Sequence, residues 1–353
     1  MNNVIFASMK EKNDEKKLPY DWWRLLLPVA IGLGVTWWIF ADQLSDFSWS
    51  DVRMTPKAWL GVGMAALLLC GRELGYVWRY RLITNGDLTW SQAFKVCVMC
   101  EFSSAVTPSS VGGSGLSMVF MHRYGISLGR GTTLMLSTVI FDGIFCVMSR
   151  PLMLMFSSWQ ELVSPLKVDL VMSPGILVGL IYFGVVVGTL LMFLGVVVWP
   201  KWISMLLDKL FSLWGLRRWH AKAVALGANM VNASGELRAH TLAWWAKCIG
   251  ATTLSWICRF LIINAVMYAF VDNMDQLLVF ARQAVVWLVL IVCPTPGGSG
   301  VGEWLFNGFY GDMITSGSVA VVVALLWRIF SYYVFLVMGA VVAPLWLRGD
   351  RKQ

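Results

Sequence analysis

The chain alternates between long apolar segments and short polar ones. An α-helix needs about 20 predominantly apolar residues to cross a bilayer. Six segments reach that length, at residues 22–40, 58–80, 132–156, 174–199, 242–270 and 318–346. This pattern predicts an all-α polytopic membrane protein with about six full transmembrane helices.

Two further apolar segments are too short to cross. Residues 92–106 and 277–293 each run into a cluster of proline and glycine and then resume as a short apolar tail. Irregular backbone is tolerated at membrane depth where protein or a water-filled cavity surrounds it. We therefore expect two re-entrant hairpins of broken helices, each returning to the side from which it entered.

The charges between the apolar segments predict an orientation, because lysine and arginine are in excess on cytoplasmic loops. The basic groups assigned to the cytoplasm are residues 10–17, Arg79 with Arg81, Arg123 with Arg130, residues 201–222 and residues 348–352. Both termini are then cytoplasmic. The first hairpin enters from the cytoplasm and the second from outside.

The two halves of the chain resemble one another. The first motif reads TPSSVGGSG at residues 107–115 and the second reads TPGGSG at residues 295–300. Arg72 and Arg259 precede the two motifs at nearly equal distances, and Asp142 and Arg328 follow them at nearly equal distances. Repeated units of opposite orientation are typical of secondary transporters. A chance match of short glycine-rich motifs is the alternative.

This repetition predicts four regions. Residues 1–57 hold the cytoplasmic N-terminus and a retained anchor helix, 58–173 the first repeat, 174–241 a linking span and a cytoplasmic segment, and 242–353 the second repeat and a short tail. Within the third region, residues 199–240 read as an amphipathic interfacial helix followed by a polar connection. A plain linker between the halves is the alternative.

The composition indicates that the lipid bilayer surrounds most of this chain. Of the 353 residues, 58% are hydrophobic and 14% are charged, which is too little charge for a water-soluble surface. The net charge of +8 lies between the spans, and not in a basic patch with interleaved aromatics, so nucleic acid is not an expected partner. The cysteines and histidines have no metal-site spacing, and we expect neither a metal nor another cofactor.

The broken helices are candidate binding sites. Proline ends a half-helix and glycine lets the backbone turn, so the next half-helix starts inside the membrane with its amides facing the break. Such an N-terminus suits a phosphate or a carboxylate, although a kinked packing helix has the same sequence pattern. The backbone candidates are Thr107, Gly112, Gly113, Thr295, Gly297, Gly298 and Gly300.

Charged side chains at membrane depth need a partner or a water-filled cavity. Arg72 and Arg259 are the candidates for phosphate contact, since guanidinium binds phosphate in a bidentate manner, and Arg328 joins them as a substrate-binding candidate. Asp142 is expected to pair with Arg328 across the two halves. Further acidic candidates for coupling or ion pairing are Glu101 and Glu303, and Glu303 is expected either to bind a proton or cation or to cap a half-helix.

The sequence CPTPGGSGVGEW at residues 293–304, with Arg328 beyond it, resembles the flippase-like membrane domain of lysylphosphatidylglycerol synthases. The stretches SSAVTPSSVGGSG and HRYGISLGRGTTL resemble the same family, and the resemblance covers about residues 60–340. It implies movement of a phospholipid or lipid-linked anionic headgroup across a bacterial inner membrane. Two-domain members of the family carry an aminoacyl-transferase domain after the membrane part, and residues 1–353 include no such domain, so the resemblance does not imply lysine transfer by these residues.

We therefore expect a lipid translocase that is not an enzyme, is not driven by ATP itself, and is open to proton or cation coupling. One alternative is a membrane enzyme that acts on a lipid headgroup. Another is a structural or partner-binding subunit whose buried charges hold the helices together. The cargo, the transport direction, the coupling ion and the oligomeric state stay open.

Overall fold

A computed structural model describes residues 34, 37, 47–107, 110–163, 173–213, 217, 220–293 and 295–348. Within these ranges the chain is helical and contains no strand. In chain order the helices are α1 (Pro56–Ile83), α2 (Trp90–Val106), α3 (Ser110–His122), α4 (Leu128–Leu154), α5 (Trp159–Val163), α6 (Pro174–Phe193, continued by a π-helix at Leu194–Val198), α7 (Pro200–Ser212), α8 (His220–Ala239), α9 (Leu242–Phe270), α10 (Gln276–Ile291), α11 (Val301–Tyr310), α12 (Gly317–Arg328, continued by a π-helix at Ile329–Tyr333) and α13 (Val334–Arg348).

Five helical stretches among the described residues are long and apolar enough to cross a membrane. They are Pro56–Ile83, Leu128–Leu154, Pro174–Val198, Leu242–Phe270 and Gly317–Ala343. The predicted all-α polytopic membrane protein is confirmed. The predicted first span, residues 22–40, lies outside the described residues apart from 34 and 37.

Short polar residues define where the helices begin. Thr55 accepts a hydrogen bond from the amide of Ala58, and Pro56 occupies the first turn of α1, where no amide donor is needed. Thr89 and Gln92 exchange hydrogen bonds in a capping box at the start of α2. Helix α1 ends at Ile83 and α2 begins at Trp90, so one short turn separates the two helices.

The two longest helices, α1 and α9, pack against each other along a seam of small residues. A Cβ on Gly61 would lie 2.7 Å from the Ala265 carbonyl oxygen, and a Cβ on Gly75 would lie 2.8 Å from the Ala251 carbonyl oxygen. Contacts therefore move down α9 as they move up α1, so the helices are antiparallel. Close backbone approach through small residues is the usual basis of helix association in membranes.

The two apolar segments that were too short to cross form helix–break–helix hairpins. A Cβ on Gly113 of α3 would lie 2.2 Å from the Cys100 carbonyl oxygen of α2, so α3 folds back along α2. Tyr310 of α11 donates to Gln283 of α10 at 2.7 Å, so α11 folds back along α10. In the chain, the first hairpin comes directly after α1 and the second directly after α9. Because α1 and α9 are antiparallel, the two hairpins begin at opposite ends of the bundle.

Buried apolar residues form a main core around α9, α10, α11 and α12. Phe306 and Trp327 stack there with ring centroids 5.9 Å apart. A second core packs α1 and α2 against the start of α9 and the end of the chain. Between these cores lie the breaks of both hairpins, and the Tyr332 hydroxyl donates to the Ala105 carbonyl across them at 3.3 Å.

The region after α6 differs from the predicted polar connection. It contains two helices, α7 and α8, and Gly227 of α8 packs against Ser204 of α7. The alanine-rich sequence of α8 explains its helical form, because alanine has the best helix propensity. On α7 the large apolar side chains of Trp202, Leu206 and Leu210 are exposed. Helix α7 thus retains the amphipathic pattern that the sequence predicted.

The first prediction tests the close packing of α1 against α9. Replacing Gly75 with leucine forces a side chain into the Ala251 backbone, and overpacking of this kind costs about 1–3 kcal/mol. Gly63 on the same helix has open space at its Cβ and is the matched control. Thermal unfolding in detergent should give a lower Tm for G75L and no comparable loss for G63L. Equal melting temperatures for the two variants would contradict the seam.

Candidate functional site

A cavity of about 370 Å³ lies where the two helix breaks meet. It is bounded by parts of α1, α2, α4, α6, α9, α10 and α12. Its charged lining residues are Arg79, Glu101, Asp142, Arg259 and Arg328. Three guanidinium groups and two carboxylates therefore border one partly open cavity between the helices.

Glu101 on α2 holds two arginines. One of its oxygens, Oε1, lies 2.6 Å from Arg72 Nη2 on α1 and accepts a hydrogen bond from Arg259 Nη2 on α9 at 2.9 Å. Arg72 also lies 3.4 Å from Glu73 and against the ring of Phe335, and it is buried. The carboxylate thus connects the first hairpin to both helices of the antiparallel pair.

Arg259 extends from this carboxylate into the cavity among aromatic rings. Its guanidinium lies 4.6 Å from the ring centre of Trp287, 4.9 Å from Trp256 and 5.4 Å from Tyr76. Within the described part of the chain, Arg259 Nε and Trp287 Nε1 have no hydrogen-bond partner. Both atoms are closed off from solvent, so neither reaches a ligand without a rearrangement of the site, and the aromatic faces stabilise the guanidinium cation.

Asp142 on α4 accepts hydrogen bonds from side chains of α1 and α9. Its Oδ1 accepts hydrogen bonds from Arg79 Nη1 at 2.5 Å and from Trp256 Nε1 at 2.7 Å. Arg79 also donates to Thr252 on α9. A carboxylate with two donors on one oxygen is strongly held, and Asp142 consequently ties α4 to α1 and α9.

Arg328 lies beside the second break. Its Nε donates to Glu303 Oε1 at 2.7 Å, and its Nη1 donates to the Gly297 carbonyl at 3.3 Å. The second oxygen of Glu303 accepts the Gly300 amide at 2.7 Å and caps the start of α11. The turn is built from glycines with positive φ, at 56° for Gly297 and 81° for Gly300, which is strained for other residues.

The cavity brings together part of the predicted site. Glu101, Asp142, Arg259, Arg328, Thr295, Gly297 and Gly298 line it. Gly300 and Glu303 lie at its edge in the cap of α11. Thr107 binds the Ser103 carbonyl, Gly113 packs on α2, Gly112 belongs to α3, and Arg72 is buried behind Glu101. Whether these residues contact a substrate stays a prediction.

The predicted pair between Asp142 and Arg328 is wrong. Asp142 pairs with Arg79, and Arg328 pairs with Glu303 in its own half of the chain. The assignment of Arg79 to a cytoplasmic loop is also wrong, because α1 continues to Ile83 and buries this side chain. Arg79 lies two turns after Arg72 on α1, where helix periodicity places it on nearly the same face.

Sequence reasoning missed Arg79 and the aromatic residues of the cavity. Tyr76 falls between Arg72 and Arg79 at helical spacing, which is a usable signal for a shared face. Trp287 and Tyr332 carry no such signal, because tryptophan and tyrosine occur throughout this chain. Their place beside Arg259 and Arg328 depends on how the hairpins fold.

One wall of the cavity is loosely packed. Val185, Gly188, Thr189 and Met192 of α6 line it. Within α6, all of which the structure describes, Val178 is the single buried residue. The helix touches α4 where a Cβ on Gly143 would lie 3.0 Å from Thr189 Cβ, and the Tyr182 hydroxyl donates to Val147. It also packs against the main core through Ile181 and Val185, while large side chains such as Phe183 and Leu191 are exposed.

Comparison with known proteins agrees with this architecture. Residues 25–339 match the family described as the lysylphosphatidylglycerol synthase TM region. The chain is 21% identical over 329 residues to a UPF0104 membrane protein of Archaeoglobus fulgidus, which covers 90% of this chain and 95% of that relative. No solved structure matches the chain.

The second prediction concerns how much the buried ion pair of Arg328 and Glu303 stabilises the protein. Removing one partner of a buried pair leaves an uncompensated charge and costs about 3–5 kcal/mol. We expect R328M to lower the Tm strongly and the double variant R328M/E303Q to recover part of the loss. The control is the exposed pair of Lys57 and Asp272, with side chains 34% and 85% exposed. D272N should have little effect, and an equal loss in R328M and D272N would contradict the burial argument.

Proposed function

Because the chain belongs to the family of lysylphosphatidylglycerol synthase transmembrane regions, we propose that it is a lipid translocase of the bacterial inner membrane. It moves an anionic phospholipid or lipid-linked headgroup through the central cavity, performs no chemistry on the lipid, and does not itself use ATP. The observation that carries the proposal is Arg259, a cation that lines the cavity beside the rings of Trp256 and Trp287.

The charge of the cavity favours an anionic headgroup. Arg79, Arg259 and Arg328 line it beside Glu101 and Asp142, and Glu303 neutralises Arg328 from outside the lining. Arg79 pairs with Asp142, whereas Arg259 and Arg72 both bind the same oxygen of Glu101. A phosphate that replaces Glu101 on Arg259 would form charge-assisted hydrogen bonds of the kind that guanidinium makes best. Arg328 and the glycine turn at Gly297 border the same space.

The arrangement of the hairpins supports transport. We infer that the two helix–break–helix hairpins are re-entrant and belong to inverted repeats. The antiparallel packing of α1 and α9, which occupy matching places in the two halves, fits this inference, as does the meeting of the two breaks at one cavity. Substrate sites of transporters with inverted repeats lie near the bilayer midplane, between discontinuous helices.

Acyl chains need a path beside the headgroup. Helix α6 supplies an apolar wall through Val185 and Met192 and packs weakly against the rest of the protein. We propose that α6 separates from α4 to admit the chains laterally from the bilayer. The headgroup would then stay among the arginines while the chains stay in hydrocarbon, so neither part enters an unfavourable medium.

The third prediction tests headgroup recognition. We expect R259Q, reconstituted in liposomes, to translocate a fluorescent phosphatidylglycerol analogue about 10- to 100-fold more slowly than the unaltered chain. This range corresponds to the loss of about 1.5–3 kcal/mol from a charge-assisted hydrogen bond. The control K57Q removes a partly exposed cation in the first turn of α1, outside the cavity lining, and should transport normally. Translocation by folded R259Q at the rate of the unaltered chain would contradict the proposal.

The fourth prediction tests the α6 wall. A disulfide between G143C and T189C should lock α6 to α4, because a Cβ on Gly143 would lie 3.0 Å from Thr189 Cβ and a small outward shift brings the pair into the range of about 3.5–4.5 Å that disulfides need. A matched pair, S204C and G227C, joins α7 to α8 away from the cavity, where a Cβ on Gly227 would lie 3.2 Å from Ser204 Cβ. Oxidation should stop translocation in the first variant and not in the second, and reduction should restore it. Undiminished transport by the fully cross-linked first variant would rule out the moving wall.

A further inference from the structure

Glu73 is a buried carboxylate that the cavity lining does not include. It lies within α1, is 8% exposed, and neither of its oxygens has a hydrogen-bond partner among the described residues. Its nearest cation, Arg72 Nη1, lies 3.4 Å from Oε1, beyond a well-formed charge-assisted hydrogen bond. Buried ionised carboxylates normally accept several hydrogen bonds, so Glu73 requires an explanation.

The surroundings of Glu73 belong to the Glu101 cluster. Arg72 and Tyr76 lie on its own helix, Cys97 and Glu101 face it from α2, and Arg259 faces it from α9. Helix α13 contributes an aromatic ring, Phe335, against Arg72. Arg72 directs its short contact, at 2.6 Å, to Glu101 and not to its sequence neighbour Glu73.

The charge of this cluster depends on one proton. With Glu73 ionised, two arginines face two carboxylates and the cluster is neutral. With Glu73 protonated, Arg72 and Arg259 face Glu101 alone and the cluster carries one positive charge. An excess charge in a low-dielectric site is costly unless a counter-charge joins it. The headgroup proposed above supplies that counter-charge at Arg259.

We propose that Glu73 is a proton-binding site that couples protonation to the binding of an anionic lipid headgroup. The inference rests on the proposed function. One proton enters the carboxylate as one negative headgroup enters the cavity, so the total charge of the cluster and ligand is unchanged. The proton comes from the aqueous phase through the cavity, whose lining includes Glu101 and Cys97. A transmembrane pH difference then drives transport without ATP.

The experiment measures phosphatidylglycerol binding between about pH 5 and pH 9, a range in which its phosphodiester stays ionised. Tryptophan fluorescence reports binding, since Trp256 and Trp287 line the cavity. For the unaltered chain, the affinity should fall with rising pH, by up to tenfold per pH unit once Glu73 loses its proton. E73Q, which keeps the shape of a neutral acid, should bind with an affinity that does not change with pH. D272N, an exposed carboxylate variant, should keep the original pH dependence.

A second measurement needs no variant of the cluster. Calorimetry of the unaltered chain in two buffers of different ionisation enthalpy gives the number of protons taken up per lipid bound, and we expect a value approaching one above the midpoint of the pH profile. Binding without proton uptake, or E73Q with the original pH dependence, would overturn the role of Glu73 and leave the translocase proposal standing. Absence of phosphatidylglycerol binding at every pH would count against both proposals.

Discussion

The structure depends on the requirement that charges inside a membrane-spanning bundle be neutralised by one another. Glu101 meets this requirement for Arg72 and Arg259 at once, with contacts of 2.6 Å and 2.9 Å. The arginines lie on the two antiparallel helices, and the carboxylate lies on the first broken hairpin. Their attraction therefore sets the position of the first broken hairpin relative to these two helices.

The same requirement shapes the cavity. Asp142 satisfies Arg79, and Glu303 satisfies Arg328 while it caps the helix that follows the second break. The pairs surround the meeting point of the two breaks, where Gly297 packs so closely on Tyr332 that a Cβ would overlap the ring. The result is a largely apolar cavity bordered by paired charges, with Arg259 held among aromatic rings. Stability and binding thus use the same residues.

Much of the fold could be predicted from the sequence, because apolar length and proline–glycine breaks act locally. Five spans and both broken segments follow from these signals alone. The pairing of charges could not be predicted, since it depends on helix rotation. Asp142 meets Arg79 and Trp256 and not Arg328, and a pattern of residue spacing does not report which helices become neighbours. Helix α8 was not predicted, because its alanines are interspersed with polar residues and the segment reads as a polar connection.

The central claim is that an anionic headgroup occupies the cavity between the two breaks. Photo-cross-linking with phosphatidylglycerol that carries a diazirine on its headgroup, followed by peptide mapping, tests it most directly. The account predicts labelling of cavity residues such as Trp287 and Tyr332, reduced by an excess of unlabelled phosphatidylglycerol. Labelling confined to outward-facing positions, such as Phe183 and Leu191 of α6, would contradict it.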